Sequence, residues 1–287
     1  MSCSSSAEPD VRISVVIPVR DDAIALEGCL AALARQSRAP DEILVVDSGS
    51  SDGSAEVAAR HGARVLAVHA PGIPGATAAA LDAAVGDVLA RLDADTVPPP
   101  QWVGRIEAAF AADPQLDAIS GAATFYGGTW LVRYLGRKSL TVGYFRLIAA
   151  LLGHAPLYGS NFAMRADLWR RMLLAVHRDR ADVHDDVDLS LHLPPGSAVR
   201  YDPQLTVGVS ARSFTRPRGT RGQIGMTART LLVTSRETGL MRLRLAWFLA
   251  ALPTGAAARG PLGRLERRTA AASRRGWLRL LRRFPRR

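Results

Sequence analysis

The chain has 287 residues, 48 % of them hydrophobic, two cysteines and a formal net charge of +11. Such a content supports a packed core and excludes disorder of the whole chain; no uncharged stretch supplies the about 18 to 20 apolar residues of a spanning helix, and Cys3 and Cys29 are too few for a disulfide framework or a four-cysteine zinc site. The charge is uneven: residues 210–287 hold 19 arginines and two acids, net +17, which leaves −6 for residues 1–209, so the total does not make the body of the chain a nucleic-acid binder.

Residues 1–10 have neither a basic region nor an apolar stretch, so they read as a disordered N-terminus rather than a secretory signal, and a cytoplasmic location is expected. From Arg12 the chain alternates short β-branched runs with alanine-rich helical stretches. Strands are expected at 13–19, 42–47, 64–68, 87–92 and 118–124, and helices at 23–36, 53–61, 74–85 and 99–112. The apolar runs lack strict alternation, as in strands buried on both faces, which predicts an α/β fold with a doubly wound, mostly parallel sheet flanked by helices. Residues 128–159 predict one or two amphipathic helices, 161–176 a strand end followed by a helix, and 201–210 a last strand. Residues 262–284 place Leu and Trp among arginines at largely helical spacing, the pattern of a basic amphipathic helix lying on an anionic membrane surface.

In a parallel sheet, ligands sit beyond the carboxyl ends of the strands, and acids cluster there. Asp21 and Asp22 follow the first strand after Pro18. Asp47 closes the second and opens the loop DSGSSDGS, whose carboxylates and serines serve equally as nucleotide contacts or as turn and helix-cap chemistry. Asp93 and Asp95 close VLARLDADT, where two carboxylates one residue apart offer half a set of oxygen ligands for Mg2+ or Mn2+. The stretch HDDVDLSLHL, residues 184–193, sets Asp185, Asp186 and Asp188 beside leucines, giving a partly enclosed carboxylate of the kind a general base requires. His184 and His192, eight apart with no cysteine nearby, are poorly spaced for zinc.

Taken together, five segments resemble the family 2 glycosyltransferases of the GT-A fold: ISVVIPVRDDAIALEGCLAAL, EILVVDSGSSDGS, GDVLARLDADTVPPPQWV, LYGSNFAMRADLWRRM and HDDVDLSLHL. They fall in that family's order over residues 12–212. The resemblance implies a GT-A domain over 11–212, with a nucleotide half to about 125 and an acceptor half from about 126, followed by an Arg-rich helical tail over 213–287. It implies that Pro18, Asp22, Asp47 and Asp93 contact a UDP- or GDP-sugar donor, and that Asp95 and Asp93 hold Mn2+ or Mg2+. Asp186 would be the general base, Asp185 would stand where the family has Glu, and Asn161, Trp169 and Arg212 would touch acceptor or diphosphate. The implied reaction is inverting transfer to a glycan or lipid-linked acceptor, by an enzyme peripheral on the cytoplasmic face of the membrane.

One departure stands out. Where the family has Ala-Arg-Asn, this chain has Ala76-Thr77-Ala78, so the donor-holding arginine must come from elsewhere; Arg91, Arg212, Arg216 and Arg218 are the candidates. A nucleotidyltransferase lacks its Gly-rich triphosphate loop here, a nicotinamide enzyme its G-x-G-x-x-G, and a P-loop NTPase its Gly-Lys pair. A catalytically silent basic scaffold at the membrane is the non-enzymatic alternative.

Overall fold

Strand β1 (Ile13–Val19) lies at the centre of the N-terminal half, with parallel partners β2 (Glu42–Asp47) on one side and β4 (Val88–Arg91) on the other, and β3 (Arg64–Ala67) beyond β2. In this computed structural model residues 11–69, 72–138, 144–146, 148–215 and 219–238 are described. The chain divides into two compact units, 1–241 and 242–287, and every described residue lies in the first. The expectations for residues 1–10 and for the amphipathic stretch at 260–287 fall outside the described residues.

The parallel succession ends at β4. Strand β7 (Phe162–Arg165) pairs antiparallel with both β4 and β6 (Ala118–Tyr126), β6 pairs parallel with β8 (Val199–Ser210), and β8 holds the short β5 (Thr96–Val97) antiparallel. The result is one eight-stranded sheet ordered β3-β2-β1-β4-β7-β6-β8-β5, parallel from β3 to β4 and mixed from β7 to β5. Pro18 is tolerated in a central strand because the register with β4 stops at Val16 and Arg91, so no ladder bond on that side is lost.

Two apolar cores flank the sheet. One face receives α1 (Ala23–Leu33) and α4 (Trp102–Ala112), burying Leu26, Leu30, Trp102, Ile106 and Phe110 against Ile13, Val15 and Ile17. The other receives α3 (Gly72–Ala83) and α7 (Ala166–Met172), with Ala76, Ala80, Leu81, Leu168 and Trp169 against Val16, Leu44 and Leu89. α2 (Ser54–Arg60) joins β2 to β3. Between β6 and β7 the described residues include α5 (Trp130–Lys138) and α6 (Ala149–Leu152), where one or two helices were expected.

The acidic stretch forms α8 (Asp185–Leu191), a helix buried along its whole length. After β8 come α9 (Arg212–Thr215) and α10 (Gly219–Thr238). The first part of the Arg-rich segment, set apart from residue 213 by its composition, instead packs against α8. Thr230 Oγ1 accepts from His184 N at 2.7 Å, and His177 bridges Asp188 (2.7 Å) and Glu237 (2.8 Å). No helix among the described residues is long and apolar enough to cross a membrane.

Candidate active site

The loops after β1 and β2 are laced together before any ligand is considered. Asp21 takes a left-handed φ of 49°, which lets its amide donate to Ser50 Oγ (2.9 Å) and its carboxylate accept from Ser51 N (2.8 Å). Asp47 Oδ1 accepts from Ser50 N at 3.0 Å, and Asp52 caps α1 by accepting from Ala23 N at 2.8 Å. Most of DSGSSDGS therefore performs turn and cap chemistry. What the lacing accomplishes is to hold Asp47, buried at the carboxyl end of β2, and Asp22, at the start of α1, close to one another in the fold.

Asp22 meets a partner from the far end of the domain. Arg212, directly after β8, forks over both oxygens of Asp22, with NH1 to Oδ1 at 2.6 Å, while its Nε donates to Asp95 Oδ2 at 3.0 Å. The arginine is aimed by its surroundings: Ala211 N donates to Tyr126 O, and Ser210 N and the Tyr126 hydroxyl both donate to the carbonyl of Asp95. Burial, then the charge of Asp93, pushes the Asp95 carboxyl up to about 6, with Arg212 opposing the shift. Asp95 is thus a buried carboxylate whose charge Arg212 only partly compensates.

Asp93 turns to a second cluster. Its Oδ1 pairs with Arg91 at 2.9 Å, and its Oδ2 accepts from Ser160 Oγ. The same Arg91 NH2 reaches Asp185 Oδ2 at 2.9 Å, which also accepts from Thr77 Oγ1 at 3.0 Å. Position 77 thus carries a hydroxyl onto the carboxylate that an arginine from β4 neutralises. Burial disfavours the guanidinium charge of Arg91, yet Asp185 and Asp93 together raise its pKa; burial likewise pushes Asp185 up, partly offset by Arg91. Gly159 is required for this passage, since a Cβ there would lie 2.1 Å from Arg91 NH1.

Asp186 lies on the same side. Its Oδ2 accepts from Gly159 N at 2.8 Å and its Oδ1 stands 2.6 Å from His184 Nδ1. Burial works against its charge, but His184 and the Gly159 amide bring the carboxyl below the usual range. Burial likewise disfavours the His184 cation, and Asp186 overrides it, raising the imidazole to about 9. Tyr144, whose hydroxyl donates to Leu157 O, stays neutral beside them because burial and Asp186 push its pKa well up.

Asp22, Asp47, Asp93, Asp95, Asp185, Asp186 and Arg212 therefore line one continuous end of the sheet, with Pro18 near the end of β1. Two expected contacts do not. Asn161 is fully buried, its Oδ1 accepting from Trp102 Nε1 and its Nδ2 donating to the carbonyls of Ala122 and Leu205, so every polar atom pins β7 to its neighbours and none faces a ligand. Trp169 is a core side chain of α7; its Nε1 donates to Asp82 Oδ1 and Arg178 covers its ring. His184 and His192 belong to different groups, His184 with Asp185 and Asp186, and His192 with His177 and Asp188. Arg216 and Arg218 lie outside the described residues. His184 as a partner of Asp186 was not expected; its place two residues before the acid, at the turn entering α8, is the signal that would have suggested it.

The model of the family described as "Glycosyl transferase family 2" matches residues 14–172. Glycosyltransferase AglE of Haloferax volcanii is 31 % identical over 133 residues, 42 % of this chain and 43 % of its own length. An undecaprenyl-phosphate 4-deoxy-4-formamido-L-arabinose transferase of Serratia proteamaculans is 37 % identical over 112 residues, 36 % of this chain and 34 % of its own. The chain thus aligns with less than half the length of either relative. A mannosyltransferase of Pyrobaculum calidifontis, solved with GDP-Man and Mn2+, superposes with a TM-score of 0.53 at 19 % identity, covering 94 % of this chain and 81 % of that one, a likeness of fold.

Proposed function

The chain belongs to glycosyl transferase family 2, and on that premise we propose that it transfers a sugar, with inversion, from a UDP- or GDP-sugar to an acceptor hydroxyl or phosphate carried on a lipid. The observation that carries this reading is the convergence, at one end of the sheet, of four carboxylates from three separate segments on two arginines, Arg91 and Arg212. Asp95, with Asp93, would hold Mn2+ or Mg2+, and such a cation when bound neutralises a diphosphate leaving group. Asp22 and Asp47 face the ribose and base. Arg212, which spans Asp22 and Asp95, would offer its guanidinium to the diphosphate and supply the charge that position 77 lacks. Asp186 takes the acceptor's proton, oriented by Gly159 N–H and by His184, while Asp185 stays fixed by Arg91 and Thr77. A lipid phosphate acceptor is favoured by the Serratia relative, whose name specifies undecaprenyl phosphate.

The test is thermal unfolding of the whole chain with UDP or GDP, with and without Mn2+. Stabilisation that needs both nucleotide and Mn2+ and is lost in Asp95→Ala is expected. No nucleotide effect, with vesicle binding intact, would instead support the silent membrane scaffold.

A further inference from the structure

The segment from Ala118 to Ala166 contains no aspartate or glutamate, although it carries Arg133, Arg137, Lys138, Arg146 and Arg165. Helix α5 is its most exposed described element. Thr129 caps the helix, its hydroxyl accepting from Val132 N. One side is sealed: a Cβ at Gly136 would stand 2.8 Å from the ring of Phe214 and 3.2 Å from that of Phe125, and these two rings pack edge to face. The opposite side presents Trp130 (71 % exposed), Leu131 (47 %), Tyr134 (46 %) and Leu135 (55 %). Positions i, i+1, i+4 and i+5 share one face of a helix, so these side chains form a single apolar patch rather than scattered exposures. Arg137 and Lys138 border it, and Lys138 Nζ lies 5.6 Å from the centre of the Tyr134 ring.

We infer that this face of α5 docks on an anionic lipid bilayer. Single exposed leucines are ordinary, whereas a contiguous patch of four large apolar side chains on nine residues marks a surface meant to be covered. Trp and Tyr are the side chains suited to the headgroup boundary, where the ring is buried and the polar tip stays wet. The cations and the absence of any acid make the patch complementary to anionic headgroups, and Lys and Arg extend alongside buried rings without losing hydration. A neutral apolar protein partner would have no use for that charge, and a nucleic acid none for the two leucines.

The docking face is tied to the candidate site. Phe214, which seals α5 from beneath, lies in α9 two residues beyond Arg212, the side chain that spans Asp22 and Asp95. Seating α5 in the headgroup layer therefore holds the donor corner beside the bilayer, where a lipid-linked acceptor has its phosphate. In that purpose the inference rests on the proposed reaction, but the binding itself does not.

An environment-sensitive fluorophore on Leu131→Cys, in the full chain with Cys3→Ser, reads the contact directly. Cys29 is buried and its thiol is pushed up by burial, so it escapes labelling. Vesicles of phosphatidylcholine with about a third phosphatidylglycerol should shift the emission to the blue and raise it several-fold; pure phosphatidylcholine should do so at least about tenfold more weakly. A fluorophore on Glu56→Cys, exposed on α2, should not respond. An unchanged signal at position 131 while the chain sediments with the vesicles, or a response to an oligonucleotide and not to vesicles, overturns the inference. Nucleotide and Mn2+ stabilisation measured on the same labelled protein separates failure of docking from failure of the proposed reaction.

Discussion

Where Arg212 spans Asp22 and Asp95 it keeps 34 % of its side chain exposed; where Arg91 spans Asp93 and Asp185 it keeps 2 %. Both are arginines between two carboxylates, yet burial gives them different roles. A guanidinium one-third exposed still has water to turn to, so Arg212 is the arginine able to exchange partners. A buried guanidinium has no water to return to, so Arg91 belongs to the framework. The segment Asp93-Ala94-Asp95 joins the two, with Asp95 beside Arg212 and Asp93 beside Arg91.

The strongest way to break this distinction is to remove each arginine. Arg91→Met leaves the buried Asp185 uncompensated and should cost about 3–5 kcal/mol in denaturant unfolding. Arg212→Ala should cost less, about 1–2 kcal/mol, because water replaces it at Asp22 while Asp95, already raised by burial, takes up a proton. Equal losses would mean that burial does not separate the two arginines. The carboxylates should divide by function instead. Asp95→Ala is expected to lower sugar transfer by at least about a thousandfold. Asp186→Asn should lower kcat by about a hundred- to ten-thousandfold while leaving nucleotide-dependent stabilisation intact; loss of that stabilisation in Asp186→Asn would place the residue on the donor side.

The pH responses sharpen the contrast. His184 is raised to about 9 in the folded protein, against about 6.5 when unfolded. Its ion pair therefore contributes fully below about pH 6.5 and is lost as pH rises through about 9. The Tm of the native chain should fall across that window by a few degrees more than that of His184→Gln, and parallel profiles would contradict the pairing with Asp186. The smallest effect is expected at Asp95, raised to about 6. Because its charge opposes folding above that pH, Asp95→Asn should raise Tm at pH 7.5 by about 2–4 °C, corresponding to about 1 kcal/mol. At pH 4 the difference should vanish.

The nucleotide half was the most legible part of the fold. Strands 13–19 and 42–47 were located to the residue, since a parallel strand buried on both faces leaves an uninterrupted apolar run. Helix ends were less legible: α1 stops at Leu33 rather than 36, where Gln36 turns its side chain to the carbonyls of Ala32 and Pro99. β5, two residues long, has no local signature and exists because β8 lies beside it. Among site residues, the acids at strand ends were legible because polar side chains at the close of apolar runs have few other reasons to be there. Asn161 and Trp169 misled because their polar atoms are satisfied by Ala122, Leu205, Trp102 and Asp82, residues far away in sequence.

Sequence by itself determined the alternation of strands and helices, the order of the acidic motifs and the concentration of positive charge toward the C-terminus, because periodicity and composition are local properties. Only the tertiary structure decided that β7 runs antiparallel between β4 and β6, that Arg91 and Thr77 meet on Asp185 while Arg212 crosses the domain to Asp22, and that residues 219–238 brace the helix of Asp186. These are pairings between distant segments, set by which surfaces the sheet brings together and by the cost of burying a charge without a partner.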